Sequence, residues 1–218
     1  VTLGFLPNGN PVPPIIGATV QQRVGYPLNG YWLRPYTYSD ANHNGRIETS
    51  EITVADSAQF LGYSIPPNEA TLSSGFDFFR RALRAQILFD YKGGHKLYNN
   101  TERFKCTDAR NCRRRNDPSA PLFEQARAAA ASDVASTSRT LSGFIEKADF
   151  WRLREISLTY SAPDRWAQRF FRSRKLSATV SARNLYLSTN YSGIDPESTY
   201  GQTDIPSDFL TVPPPTYC

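Results

Sequence analysis

Residues with oxygen donors follow the spacing of a calcium-binding loop in the segment Asp40–Glu51, which reads DANHNGRIETSE. In the EF-hand template, side-chain oxygens occupy positions one, three, five and twelve, a backbone carbonyl occupies position seven, and a glycine at position six permits a sharp turn. The matching ligands are Asp40, Asn42, Asn44, Arg46 through its carbonyl, and Glu51, with Glu48 as a further carboxylate at position nine. Because Ca²⁺ needs about six to eight converging hard oxygens, this spacing predicts a calcium site.

The same segment also fits a metal-free turn. Asn and Asp side chains close short turns by accepting hydrogen bonds from nearby backbone amides, and Gly45 tolerates a left-handed backbone. The flanking sequences, PYTYS before the loop and ITVADS after it, are typical of extended chain. We therefore expect an isolated loop and not a helix–loop–helix sensor, and from the residues both the metal-bound and the metal-free alternatives stay open.

Cysteine spacing points to a second local site. Cys106 and Cys112 enclose the polar sequence TDARN, and Cys218 has no evident partner. Two thiols this close in a polar loop suit a small disulfide in an oxidising compartment. A zinc site would need four ligands at tighter spacing, and His43 and His95 lie far away in the sequence. We predict a structural bridge between Cys106 and Cys112.

The elements that carry these loops are predicted by alternating apolar and polar residues. Residues 83–91, 155–160 and 176–183 each alternate with a period of two, the pattern of a strand with one apolar and one polar face. Strands of roughly ten residues with this pattern occur both in β-sandwiches and in outer-membrane barrels. Short sequence motifs decide between the two.

The segment from Phe144 to Glu197 resembles the C-terminal end of SusC/RagA-type TonB-dependent outer-membrane transporters. In that family an aromatic-x-Arg-Leu-Arg strand ends in Leu-x-Tyr-x-x-Pro, and the next strand ends in Asn-Leu before a Tyr-Ser/Thr-Gly-x-Asp-Pro-Glu loop. The matching residues are Phe150, Arg152, Leu153, Arg154, Leu158, Tyr160, Pro163, Asn184, Leu185, Tyr191, Gly193, Asp195, Pro196 and Glu197. The resemblance extends back to about Gly25, so it covers most of the chain.

The resemblance implies an all-β fold of antiparallel strands from a large transmembrane β-barrel with long extracellular loops. It implies that residues 1–218 form the C-terminal part of the barrel, without the plug and most of the barrel strands. The implied activity is energy-coupled import of glycans or peptides across the outer membrane. The implied partners are a SusD-like surface lipoprotein, the TonB complex and outer-membrane lipid. SusC-type sequences also carry an Asp-x-Asn-x-Asp-Gly-x-Ile motif here, which favours metal, although Asn44 replaces its second Asp.

Composition excludes several other classes. The 218-residue chain has a hydrophobic content of 39% and no apolar run approaching the roughly 18 residues of a membrane helix. Its net charge of +5 includes the run Arg113–Arg115, but no nucleic-acid-binding module accompanies the run, so we expect no nucleic-acid partner. No catalytic set is apparent, so we expect no enzyme activity. The chain contains no Met, and we interpret it as an internal or C-terminal piece of a longer protein.

The connections between strands predict their sides of the membrane. Outer-membrane barrels have short periplasmic turns and long extracellular loops. We therefore expect the connections at Arg80–Arg81 and Asp164–Arg174 to be periplasmic. We expect Thr37–Thr71, Lys92–Phe144 and Ser188–Asp208 to be extracellular. Within these segments we predict a single strand over Tyr31–Tyr38, a strand over His95–Phe104 and a helix over Leu122–Val134.

A second hypothesis treats the chain as a secreted, calcium-stabilised β-sandwich that binds carbohydrate through exposed aromatic residues. Its apolar strand faces would then be covered by a second sheet and not by lipid. Folding in detergent-free buffer would distinguish this hypothesis from the barrel.

Overall fold

The computed structural model describes residues 15–16, 19–132, 139–197, 207–208 and 216–217. The strands are β1 (Ile15–Ile16), β2 (Val20–Gln22), β3 (Gly30–Leu33), β4 (Tyr36–Tyr38), β5 (Ile52–Val54), β6 (Gln59–Gly62), β7 (Asn68–Phe78), β8 (Leu83–Gly93), β9 (Lys96–Asn99), β10 (Ile145–Lys147), β11 (Phe150–Ser161), β12 (Ser177–Thr189), β13 (Ser207–Asp208) and β14 (Thr216–Tyr217). The helices are α1 (Asn100–Thr107), α2 (Arg113–Asn116), α3 (Leu122–Ser132) and α4 (Asp164–Phe171), with 3₁₀ turns at Thr49–Glu51 and Ser142–Phe144. None of these helices has the length and hydropathy that crossing a bilayer requires.

The chain divides into two compact units, described separately below. Unit 1 comprises the described residues of 1–67, 94–148 and 191–212, and unit 2 those of 68–93, 149–190 and 213–218. Among the described residues the fold is mostly β-sheet, as expected, and four short α-helices accompany the strands. In the described part of the chain no sheet closes on itself, and the long strands form an open sheet.

Unit 2 is a five-stranded antiparallel sheet with the strand order β14-β12-β11-β8-β7. Its four long strands contain 11 to 13 residues each. Directly paired residues share a face of an antiparallel sheet, so the register assigns every side chain to one of two faces. The apolar face consists, row by row across β7, β8, β11 and β12, of Phe78, Leu83, Tyr160 and Ala178; Phe76, Ala85, Leu158 and Val180; Ser74, Ile87, Ile156 and Ala182; Leu72, Phe89, Leu153 and Tyr186; and Ala70, Tyr91, Trp151 and Ser188.

A β-bulge keeps this face continuous. In β11, Leu153 pairs with Phe89, and Glu155 pairs with Leu88, so Arg154 is an extra residue relative to β8. Without that residue the strand would turn its apolar side chains to the opposite face beyond this point, because side chains alternate with a period of two. The bulge therefore places the two halves of β11 on the same apolar face.

Unit 1 is built from three small sheets and helices α1 to α3. Its sheets have the orders β1-β2-β3-β6, β10-β9-β13 and β4-β5, and β13 pairs with β9 in parallel. Helix α3 is rich in alanine, so other elements approach it closely. The buried cluster of the unit consists of Val20, Tyr31, Tyr98, Cys106, Cys112, Ala128, Ala131, Phe144 and Ile145. This unit therefore has a hydrophobic core of its own.

The structure of unit 1 corrects two predicted strands and confirms one predicted helix. The strand predicted over His95–Phe104 is wrong beyond Asn99, because the Asn99 side chain accepts a hydrogen bond from the Glu102 amide (2.9 Å) and caps helix α1. The single strand predicted over Tyr31–Tyr38 is two strands in different sheets. The helix predicted over Leu122–Val134 is confirmed as far as Ser132, and its last two residues lie outside the described residues.

The predicted disulfide is present. Cys106 in α1 and Cys112, which precedes α2, are bonded, with their Cα atoms 4.8 Å apart. Both are buried in the core of unit 1, so the bridge joins two short helices at the point where each contacts that core.

Replacing both cysteines by alanine should loosen this unit without unfolding the sheet of unit 2. The chain-entropy model gives about 2–3 kcal/mol for so short a loop, and alanine keeps the site apolar. Limited proteolysis should show faster cleavage within residues 100–132 of the variant and no additional cleavage in strands β7, β8, β11 and β12 of unit 2. Free alkylation of both thiols in native, non-reduced protein would contradict the bridge.

Gly193 lies where a side chain has no room. A Cβ atom at this position would lie 2.7 Å from Cζ of Tyr191 and in close contact with the buried carboxylate of Asp208. Burial raises the pKa of Tyr191, and the neighbouring Asp208 carboxylate raises it further, which is consistent with a tightly enclosed polar contact. Glycine is therefore needed here because of close approach.

We expect Gly193→Ala to destabilise the protein by about 1–3 kcal/mol, the usual cost of overpacking. Gly75→Ala is the matched control, because the atom nearest to its Cβ would be the flexible end of Arg84, at an ordinary contact distance of 3.4 Å. Denaturant midpoints of both variants measure the difference, and equal midpoints would show that the Tyr191 contact can relax at no cost.

Candidate functional site

A two-stranded hairpin of unit 1 presents the Asp40–Glu51 loop. Strands β4 and β5 pair antiparallel, with Tyr38 opposite Ile52 at the base of the loop. The Ser39 amide donates to the Glu51 carbonyl (3.2 Å), so the pairing continues by one residue at the base. The expected extended flanks are confirmed, and the loop is not part of a helix–loop–helix pair.

The first half of the loop is closed by its own side-chain oxygens. The Asp40 carboxylate accepts from the amides of Asn44 (3.1 Å) and Gly45 (3.0 Å), and Asn44 accepts from the amide of Arg46 (2.7 Å). Asn42 also accepts from the Asn44 amide (3.0 Å). Gly45 has a φ of +75°, the left-handed conformation that its template position requires. The oxygens at positions one, three and five therefore all turn towards the backbone of the loop.

The carboxylate at position twelve closes the loop from the other side. Glu51 ends a 3₁₀ turn, and its Oε1 accepts from the amides of Ala41 (2.9 Å) and Asn42 (3.4 Å). Its Oε2 accepts from the amide of Glu48 (3.1 Å). Glu51 therefore binds the two ends of the loop, at Ala41 and Asn42 and at Glu48, whereas Asp40 binds its middle, at Asn44 and Gly45.

Helix α3 holds the loop through Gln125, a residue that the sequence reasoning missed. The Gln125 side chain accepts from the Ile47 amide (3.2 Å) and donates to the carbonyls of Gly45 (3.2 Å) and Ala120 (2.8 Å). Ile47 itself is buried. The sequence does show a single glutamine inside an alanine-rich helix. Its hydrogen-bond partners in the loop are about 80 residues away, so no local sequence pattern predicts the contact.

The donor set of the loop suits a hard cation. Three carboxylates, two side-chain amides and one carbonyl are available from Asp40, Glu48, Glu51, Asn42, Asn44 and Arg46. A metal ion needs several ligand atoms close together. Among the described residues, one group of at least three His, Cys, Asp or Glu side chains meets this condition, and it consists of Glu102, Cys106 and Cys112. That group offers no thiolate, because both cysteines are in the disulfide. The carboxylates of Asp40, Glu48 and Glu51 do not form such a group, so the calcium site in the oxygen loop stays a prediction.

A pocket of about 540 Å³ lies beside the loop. It is lined by Arg46, Ile47, Glu48, Thr49, Arg114, Arg115, Asn116, Asp117, Pro118, Gln125, Ala128, Ala129 and Ser132. Arg114 is largely neutralised, because it pairs with Glu102 (3.2 Å) and Glu124 (3.2 Å). Hydrogen bonds from the Ser119 hydroxyl and amide, with help from Arg113, lower the pKa of Asp117 to about 2. The arginine run therefore lies mainly in ion pairs of the protein itself.

The polar face of the unit 2 sheet is the other cluster of charged groups. Arg154 pairs with Asp90 (2.6 Å), and Arg183 pairs with Glu155 (2.8 Å). Thr71 donates to Asp90 (2.8 Å), which links β7 to this row. Arg84 and Gln86, which the sequence assigned with Asp90 to one face, lie on this same face in the register. The predicted separation of polar and apolar residues along β8 is confirmed.

Comparison with known proteins identifies the fold. No protein-family model and no curated protein sequence matches the chain. Solved structures of the RagAB peptide importer do resemble it: the 'open-open' state (TM-score 0.60, 20% identity, 95% of this chain and 23% of that chain), a structure of the RagAB peptide transporter (0.59, 19%, 90% and 22%) and the 'closed-closed' state (0.61, 19%, 84% and 22%).

The chain thus spans less than a quarter of the length of the solved chains that it matches. At this sequence identity the likeness concerns the fold, and it agrees with the resemblance to SusC/RagA-type transporters that the strand motifs gave. The chain shares its fold with part of a RagAB importer chain.

Proposed function

We propose that the chain is part of a TonB-dependent transporter of the outer membrane, in which β7, β8, β11 and β12 are neighbouring strands of the barrel wall. The observation that carries the proposal is the apolar face. Eighteen of the twenty positions in its five rows are apolar or aromatic, and its side chains are largely exposed, with Leu72 at 63% and Val180 at 67%. Apolar surface of this extent needs a partner, and lipid is the partner that matches strands of this length.

The polar face supports the same orientation. Barrel strands of transporters turn polar residues to a water-containing interior. The ion pairs Arg154–Asp90 and Arg183–Glu155 lie on the face opposite Leu158 and Val180. In this orientation the charges meet water, and the lipid meets no charged side chain in the five rows.

The substrate and partners follow from the likeness to importers. The solved chains belong to an importer of peptides, so a peptide is the favoured substrate here, with a glycan as the second possibility from the family resemblance. A SusD-like surface lipoprotein would cover the entrance, and TonB would supply the energy. The long segments of unit 1 would lie outside the cell, because long loops of outer-membrane barrels are extracellular.

The alternative of a secreted β-sandwich receives less support. A sandwich requires a second sheet packed on the apolar face at a distance of about 10 Å. In the described residues that face is exposed, and its exposed members include Phe76, Leu158 and Val180. No described feature favours carbohydrate stacking over lipid contact.

Arginine substitutions on opposite faces of strand β11 test the proposed barrel. In the longest protein that contains this chain, folded in lipid vesicles, Ile156→Arg should cost about 2–4 kcal/mol, because Ile156 lies in the middle of the five rows and the substitution places a charge near the bilayer midplane. Thr159→Arg, on the polar face of the same strand, should cost much less. Denaturant unfolding from vesicles measures both changes. Cooperative folding of the wild type in buffer without detergent or lipid would reject the barrel in favour of a sandwich.

The Asp40–Glu51 loop is the calcium site in this proposal, with a structural role in fixing the β4–β5 hairpin. Asp40 and Glu51 supply carboxylates, Asn42 and Asn44 neutral oxygens, and Arg46 its carbonyl; Glu48 binds directly or through water. The support is that the side-chain oxygens of Asp40 and Glu51 both accept hydrogen bonds from loop amides, Asp40 from Gly45 and Glu51 from Ala41, and that Gly45 has the required conformation. Without a paired helix, affinity should lie in the weak extracellular range of about 10⁻⁴–10⁻³ M.

Glu51→Gln should abolish most of the calcium binding. Glutamine keeps one acceptor for the loop amides but removes the charge and the bidentate carboxylate, so the loop should stay folded. Asp56→Asn removes the same charge from an exposed position outside the loop and serves as the control. Calorimetric titration with millimolar Ca²⁺ measures the affinities. Absence of any calcium-dependent heat in the wild type would leave the loop as a metal-free turn.

A further inference from the structure

One end of the unit 2 sheet collects two connections of the same chemical character. Phe78 pairs with Leu83, Leu83 with Tyr160, and Ser161 with Ser177. The β7–β8 turn and the β11–α4–β12 connection therefore leave the sheet at the same end. We call residues 77–84 and 161–176 together the basic end.

The basic end carries more net charge than the whole chain. It contains eight arginines and lysines and two aspartates, which gives a net charge of +6, whereas the chain as a whole is at +5. The cations are Arg80, Arg81, Arg84, Arg165, Arg169, Arg172, Arg174 and Lys175, and all are exposed. Asp77 lies 4.0 Å from Arg81 and 3.9 Å from Arg84, and such long exposed pairs neutralise little. The rest of the chain must be close to neutral.

Large aromatic side chains are exposed among these cations. Helix α4 exposes Trp166 (59%), Phe170 (69%) and Phe171 (64%), and the β7–β8 turn exposes Phe79 (79%). The one buried residue of α4 is Ala167. Contacts within the described residues therefore leave the aromatic side of this connection exposed, and these rings need another environment.

The aromatic residues also continue the apolar face. The last row of that face ends with Phe78, Leu83 and Tyr160, directly before the two connections begin. If the face contacts lipid acyl chains, the next residues lie at the level of the headgroups. Tryptophan and phenylalanine beside arginine and lysine are the composition of interfacial membrane anchors.

We propose that the basic end is an interfacial anchor that binds the headgroups of anionic phospholipids. The proposal rests on the transporter function proposed above, since that function supplies the bilayer. The phosphate of a glycerophospholipid offers oxygens in the geometry that guanidinium groups bind in pairs. A leaflet containing phosphatidylglycerol complements the net charge of +6.

The side of the membrane agrees with this chemistry. Short connections of outer-membrane barrels lie on the periplasmic side, where the leaflet consists of glycerophospholipids. A basic, aromatic surface there would fix the depth and tilt of these four strands. A nucleic-acid groove would use the same residue types, but it would not need continuity with an apolar sheet face.

The test uses the longest protein that contains this chain, reconstituted into vesicles of phosphatidylcholine with and without phosphatidylglycerol. Protection of the strands from protease reports insertion. Spin-labelled lipids then report the preference of the inserted protein for phosphatidylglycerol over phosphatidylcholine. The variant Arg165→Gln/Arg169→Gln/Arg174→Gln removes three exposed charges from the basic end. The control Arg110→Gln/Arg113→Gln/Arg115→Gln removes three exposed charges from unit 1.

We expect the wild type and the control to prefer phosphatidylglycerol. The basic-end variant should lose about fivefold or more of that preference, the effect of even one cation near an anionic surface. The variant with lysine at the same three positions should retain most of it.

Other outcomes separate the two proposals. A wild type that fails to insert into either vesicle contradicts the transporter function. A wild type that inserts without a phosphatidylglycerol preference, or whose preference falls equally in both triple variants, overturns the anchor alone. Tight oligonucleotide binding by the inserted protein that only the basic-end variant loses would assign the surface to nucleic acid and also overturn the anchor.

Discussion

A sheet with one largely apolar face and one charged face constrains the other elements of this chain. Neither face can be exchanged for the other, because a one-residue slip would move every apolar side chain of a strand to the charged side. The bulge at Arg154 shows how strictly this is kept. The extra residue keeps the side chains of Leu153 and Ile156 on the same face of the sheet, and Arg154 itself pairs with Asp90 on the polar face. The irregular position thus contributes an ion pair where water is available.

The long connections solve a different problem. Where a segment as long as residues 94–148 packs into a core, its backbone amides lose water and need hydrogen-bond partners within the protein. Here it forms helices, a small sheet and a core with the earlier strands of unit 1. Asn99 caps the first helix, the disulfide joins the first two, and Gln125 ties the third to the Asp40–Glu51 loop. Each link uses a side chain to satisfy or fix backbone that has no sheet partner.

Local patterns in the sequence were sufficient for the features that depend on near neighbours. The alternation in β8, β11 and β12, the Cys106–Cys112 pair and the acceptor pattern of the calcium-like loop are all of this kind. The turn at Phe79, Arg80 and Arg81 was expected to be short, but three successive left-handed residues without glycine were not foreseeable from propensity. The parallel pairing of β13 with β9 and the role of Gln125 join residues about 80 to 110 positions apart. No periodicity within a short window can carry such information, so these contacts required the structure.

The Asp40–Glu51 loop lies on a two-stranded hairpin and has no flanking helices to hold its oxygens in place. In a helix–loop–helix sensor, two helices hold the calcium ligands in place before the ion binds. Here, side-chain oxygens of Asp40, Asn44 and Glu51 already accept hydrogen bonds from the loop's own amides, and these bonds order the loop in the absence of a helix. Calcium would then be bound by oxygens whose second lone pairs remain available, since each oxygen can accept more than one contact. Order that is supplied in advance lowers the entropy lost on binding, so the calcium site proposed for this loop would need no paired helices to hold its ligands in place.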